Sequence, residues 1–472
     1  MGGMMRRAAT ASILSLALLG LALLGVAMPT SARSDPGTRP LTPAAPAAAT
    51  FETPRATASF GSSVTFEQRL SGVDRPARVE ILLEFPGALG PHVVEVPVPA
   101  SSGGVLGLRH VLDLADGHIL PNTSIAARWR ITGADGQIEI GPRATVLYED
   151  TRFAWKTRVG ERVRVHWYVG SNAFGQRALD IGERAVAETA ALLGVEESEP
   201  IDFFIYAEQD AFYDALGPAT RENVGGQANA EIRTLFALIE PADIEDPWVR
   251  IVIPHELTHL VFDTAVENPY HFPPRWLNEG LAVYLSAGYA AADRREVADA
   301  VRRDALSPLI GLTGQFPTTR DEFFLAYAES VSAVDFLVAT YGRDALIDLI
   351  RSYADGTTDD EAFSAALGVD VAAFDAAWRA AVGAAPAIEY GPQPAPPGPV
   401  PPGWDVPVVV GGGSSPTPGS SPPPVGPGGP GPGDGDGSAA SIVIGIAVGL
   451  VAAIAVILIV IGVRGRRRDG TA

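Results

Sequence analysis

The chain contains no cysteine. That absence excludes a disulfide framework, thiolate metal sites, a cysteine nucleophile and lipid attachment through a thiol. Lysine is almost missing as well, with Lys156 the single example. Positive charge as a whole is scarce: 35 Lys and Arg stand against 55 Asp and Glu, for a formal net charge of −20. Several of the arginines, Arg6 and Arg7 at one end and Arg464, Arg466, Arg467 and Arg468 at the other, lie outside the central region, which is therefore more acidic still. Such a surface repels phosphate backbones and anionic lipid, so no nucleic-acid partner is expected. Charged residues are 19% of the chain and hydrophobic ones 47%, a balance that excludes global disorder. Histidine is also sparse, at 7 in 472 residues, so any two at ligand spacing are informative.

The ends of the chain read as export and anchoring segments. Residues 1–32 show Arg6 and Arg7, an uncharged apolar run from Ile13 to Met28 and small residues to Ala32, the three-part pattern of a signal peptide. Residues 33–50 are rich in Ala, Pro and Thr and read as disordered. Between 391 and 438, 30 of 48 residues are Gly or Pro, which predicts a stalk that is part extended and part flexible. Residues 439–463 are 25 without a charge, enough for a single transmembrane helix. Arginines follow at once in the tail, 464–472, which places that tail in the cytoplasm and everything before the helix outside the cell membrane.

Two folded regions remain. From 51 to 150, short runs such as Val79, Ile81, Leu83 and Val94, Val96, Val98 alternate with turn residues, which predicts an all-β, sandwich-like domain. His92, His110 and His118 fall in separate contexts without ligand spacing and read as surface or edge residues. From 151 to 390 the pattern changes to an α+β domain. Strands are expected at Val163–Val169, Ile201–Tyr206 and Thr234–Ile239, helices at Phe174–Leu193 and Gln209–Leu216, and helix almost throughout from Pro247 to Trp378. The first of these strands puts Arg164, His166 and Tyr168 on one face, read as solvated.

The chemistry concentrates in His255-Glu256-Leu257-Thr258-His259. Histidines four apart lie one above the other on a helix, so both rings can reach one metal ion, while the intervening Glu256 points about 100° away and can reach a water there. A hydrolytic zinc site needs a third protein ligand and an open fourth position. Glu279 follows His259 by twenty residues, within Arg275-Trp276-Leu277-Asn278-Glu279-Gly280, after a proline-containing loop. An antiparallel return of that second helix brings Glu279 back to the histidines. His271 is the next candidate for the third ligand, and Asp263, one turn beyond His259, could orient a ligand ring.

With those two motifs the sequence resembles the gluzincin zinc metallopeptidases, in particular the peptidase MA-like group, over about residues 150–385. The resemblance implies a zincin-like fold, one Zn2+ held by His255, His259 and Glu279, Glu256 as general base and a peptide or protein substrate. It also suggests Tyr327 as a donor to the developing oxyanion, although a packed helical tyrosine is an equal reading of that residue. One departure matters. Aminopeptidases of this type carry a Gly-x-Met-Glu-Asn segment for the substrate's free amine, whereas Gly225-Gly226-Gln227-Ala228-Asn229 has no glutamate. The strand at Thr234–Ile239 is a candidate cleft edge for an extended peptide. These features point to a membrane-anchored extracellular metallopeptidase; the rival reading is a surface binding or adhesion protein that keeps the zincin fold as a scaffold.

Overall fold

A computed structural model describes residues 49–387, apart from 74, 116, 218–224 and 269–271. The expected signal peptide, stalk, transmembrane helix and tail, and His271, lie outside the described residues.

Among the described residues nine strands form the first domain: β1 (Thr50–Phe51), β2 (Arg55–Ser59), β3 (Ser63–Ser71), β4 (Arg78–Glu84), β5 (His92–Val96), β6 (Val105–Asp113), β7 (Thr123–Thr132), β8 (Ile138–Ile140) and β9 (Ala144–Tyr148). One antiparallel sheet joins β1, β2 and β6 to β3, and the other runs β5-β4-β7-β8 with β9 also on β7. Alternation along each strand sends Val64, Phe66 and Leu70 from the first sheet and Ile81, Leu83, Trp129 and Ile131 from the second into one shared core. Thr50, which the sequence pattern assigns to a disordered lead-in, is already part of β1 and pairs with Ser71.

The second domain begins with β10 (Lys156–Val159), β11 (Val163–Trp167), α1 (Asn172–Leu193), β12 (Ile201–Tyr206), α2 (Gln209–Leu216), β13 (Gly226–Asn229) and β14 (Thr234–Leu238). Its sheet order is β10-β11-β12-β14-β13, parallel through β11, β12 and β14 and antiparallel at both edges. Helix α1 starts on the side-chain cap of Ser171 and stops at Gly194, whose φ of 65° is the left-handed conformation that favours glycine. The remaining helices are α3 (Val249–Ala265), α4 (Arg275–Ser286), α5 (Ala291–Arg303), α6 (Arg320–Tyr341), α7 (Arg343–Ser352), α8 (Asp359–Leu367) and α9 (Val371–Val382). One sheet face, carrying Val163, Val165, Phe203, Ile205 and Leu235, packs on α1 and α3 in the main core. Helix α3 is buried on most sides because it is enclosed, by the sheet, by α1 and by α4. Among the described residues α6 alone is long and apolar enough to cross a membrane, and it is largely buried in this core.

The opposite sheet face differs from the solvated surface that the alternation suggests. His166 is ring-stacked on Phe204 at 4.2 Å and its Nε2 lies 2.9 Å from Asp202 Oδ1. Asp202 also accepts from Arg164 and, at 3.0 Å, from Asn122 of the β-sandwich. Burial raises the Asp202 pKa, but the hydrogen bonds from His166, Arg164 and Asn122 outweigh it and hold the carboxyl down at about 2. His118 likewise is not a free edge residue, since its Nε2 lies 2.9 Å from the Ala215 carbonyl at the end of α2. The polar face of the sheet is thus where the two domains meet.

Candidate metal centre

Helix α3 presents His255 and His259 one turn apart, with their Nε2 atoms 3.2 Å from each other. Helix α4 packs against α3 and returns Glu279 to the same point, its Oε2 standing 3.7 Å from His255 Nε2 and 3.6 Å from His259 Nε2. A tetrahedral zinc with bonds of roughly 2.0–2.1 Å requires donor separations of about 3.3–3.4 Å, and the three sides of this triangle, 3.2, 3.6 and 3.7 Å, bracket that value. Two imidazoles and one carboxylate form a donor set suited to zinc. All three residues are buried, and Oε2 of Glu279 has no hydrogen-bond partner. A buried carboxylate oxygen left without a proton donor is costly in protein alone, and a cation at this point removes the cost.

The protonation states suit ligation. Burial pulls His259 down to about 4, so its ring is neutral near pH 7. Burial also pushes the Glu279 carboxyl up, but the adjacent imidazoles of His255 and His259 and the guanidinium of Arg275 prevail and leave it below the usual range. His259 Nδ1 lies 2.7 Å from Asn278 Oδ1. Since that amide oxygen can only accept, Nδ1 carries the proton and Nε2 keeps its lone pair for the metal. Asp263, the candidate for this orienting role from sequence, sits elsewhere, beside Glu267, Arg233 and Glu197, and is pushed up to about 6 chiefly by burial.

Glu256 is almost fully buried, with Oε2 accepting from the Ala228 backbone N–H at 3.1 Å. Burial, then repulsion from Glu279, pushes its pKa well up, opposed by the Ala228 hydrogen bond. The strand that supplies this N–H is β13, the sheet edge, whereas β14 is enclosed between β12 and β13. The cleft-edge role expected for Thr234–Ile239 therefore passes to Gly226–Asn229. A Cβ on Gly226 would stand only 3.0 Å from Glu256 Cγ, so a glycine lets β13 approach α3 this closely. Gly280 serves similarly on α4, where a Cβ would come 2.5 Å from the Ser330 carbonyl oxygen of α6. That close approach brings Tyr327 of α6 into the centre, its ring 6.4 Å from that of His255. Burial first, then the Glu279 carboxylate, pushes the Tyr327 hydroxyl far up and keeps it protonated.

The structure thus assembles His255, Glu256, His259, Glu279 and Tyr327 in one place. It adds Asn278, Arg275 and the Ala228 N–H, which the motifs alone did not assign. Asn278 and Arg275 were visible within the second motif, on the helix turn of Glu279.

Residues 181–384 match the model of the Peptidase MA superfamily. Aminopeptidase M1-A of Oryza sativa subsp. japonica is 30% identical over 138 residues, which cover 29% of this chain and 15% of the rice protein. Among solved structures, an M1 zinc metallopeptidase from Deinococcus radiodurans has 16% identity and a TM-score of 0.32, covering 71% of this chain and 92% of its own. An aminopeptidase N family protein from Idiomarina loihiensis has 11% identity and a TM-score of 0.36, covering 67% and 73%. Residues 181–384 are thus similar to the Peptidase MA superfamily, and the chain spans only 15% of the length of the rice aminopeptidase that it matches.

Proposed function

We propose that the chain is a zinc endopeptidase, exported and anchored with its folded region outside the cell membrane. The observation that carries the reading is the buried triangle of two Nε2 atoms and Glu279 Oε2, with the Glu256 carboxylate beside it. Zinc bound there would acidify a water and polarise a peptide carbonyl. Glu256 is the base: the Ala228 N–H fixes Oε2, which leaves Oε1 to take a proton from the attacking water and pass it to the departing amine. The protonated Tyr327 hydroxyl donates to the carbonyl oxygen as it gains charge. The free edge of β13 pairs with an extended substrate and sets it across the centre.

Endopeptidase action is favoured because β13 and the residue before it, Gly225–Asn229, carry no carboxylate to bind a substrate's amino terminus. Peptides acetylated at the amino terminus should therefore be cut as readily as free ones; strict dependence on a free amine would refute this specificity. The anchored topology rests on the uncharged run 439–463 and the arginines after it. Protease added to intact cells should remove the folded region, and full protection would reverse the orientation.

A further inference from the structure

Resting on the metal-centre reading above, we propose that Arg275, clamped by Phe316, is a positioning residue that makes Glu279 a one-oxygen ligand. Arg275 Nε donates to Glu279 Oε1 at 3.2 Å along one turn of α4, and the two side chains are only 12% and 2% exposed. The guanidinium lies over the ring of Phe316, 4.6 Å from its centre. Phe316 is buried and meets the Tyr327 ring edge-on at 5.3 Å. The backbone end of Arg275 is fixed by the same loop, since its N–H donates to the Thr313 carbonyl at 2.8 Å. One loop therefore holds both ends of this arginine.

A glutamate carboxylate turns easily about its last torsion and can offer either oxygen, or both, to a cation. A guanidinium on Oε1 breaks that symmetry. Only Oε2 then faces the two Nε2 atoms, at 3.6 and 3.7 Å, and it is the oxygen without a hydrogen-bond donor. Single-oxygen ligation keeps the protein ligands at three and leaves the fourth position open, as hydrolytic zinc requires. An exposed arginine–glutamate pair at this spacing would add only a few tenths of a kcal/mol of helix stability; here the pair is enclosed and one partner is a candidate ligand. The stacking against Phe316 explains why arginine serves better than lysine, whose ammonium has neither the planar fork nor the flat face.

The test uses the purified full chain, with zinc affinity measured by chelator competition, the visible spectrum of the cobalt-substituted protein, and kcat and KM measured separately. Arg275→Met keeps most of the stem and removes the fork. It should bind zinc about 10- to 100-fold more weakly, the loss usual when a residue behind a ligand is removed. Its cobalt bands should shift, and kcat at saturating zinc should fall with KM near wild type. Arg275→Lys should recover part of the affinity, and Phe316→Leu should show a smaller loss in the same direction. Wild-type zinc affinity and cobalt spectrum in Arg275→Met would overturn the proposal, as would a rise in KM alone, which would place Arg275 on the substrate. If Arg275→Met does not fold, unchanged zinc affinity in both other variants overturns it. A wild-type chain that binds neither zinc nor cobalt removes the metal-centre reading itself, an outcome distinct from failure in the variants alone.

Discussion

Glu256→Gln should hydrolyse peptides about 10² to 10⁴-fold more slowly than wild type while retaining its zinc. The fall corresponds to roughly 3 to 5.5 kcal/mol of barrier. Glutamine keeps the size of the side chain and its oxygen can still accept from the Ala228 N–H, so β13 and α3 need not move apart. What is lost is the base, because an amide cannot take the proton. Glu256 faces the centre without completing the triangle, which is made by His255, His259 and Glu279. Zinc content and kcat on one preparation decide the matter. Equal hydrolysis by both proteins would mean that this residue is not the base. A scaffold with lapsed catalysis would show no activity in either, and nothing then explains a carboxylate buried at such cost in solvation.

Glu279→Ala should weaken zinc binding by more than the 10- to 100-fold typical of a residue that only orients a ligand. Two imidazoles four residues apart remain, and two neutral donors do not close a three-ligand site. The change also removes the enclosed ion pair between Glu279 and Arg275, so the metal-free protein should lose stability as well. Glu279→Gln separates the effects, since it keeps a hydrogen-bond acceptor for the guanidinium and removes the anionic ligand. Undiminished zinc affinity in the Ala variant, measured by chelator competition, would assign the third ligand to another residue, with His271 the first to replace.

Much of this was legible in the sequence because burial imposes periodicity. Ile201–Tyr206 and Gln209–Leu216 have the bounds their patterns suggest, and Gly194 ends α1 as a left-handed cap should. The two segments of the candidate metal centre were legible for a different reason: a fixed chemistry demands fixed residue types at fixed helical offsets. What the sequence hid depends on contacts between distant segments. Strand β13 is four residues long, has a glycine and two amides, and shows no alternation, so it reads as a loop until β14 is found beside it. His166 alternates like a solvent-facing residue because sequence cannot show that Asn122, Asp202 and Phe204 cover that face. Asp263 is the partner that the sequence suggests for His259, and only the return of α4 shows that Asn278 takes that place.

On the proposed reading, a single zinc held by His255, His259 and Glu279 is required for peptide-bond hydrolysis. The most direct measurement takes the purified full chain and an amino-terminally blocked peptide, strips the metal with a chelator, and restores it in known increments. Hydrolysis should disappear on stripping and return in proportion to zinc, saturating at one equivalent per chain. Hydrolysis that persists in the metal-free protein, or zinc that rebinds at one equivalent without restoring it, would mean that this zinc is not the catalytic group.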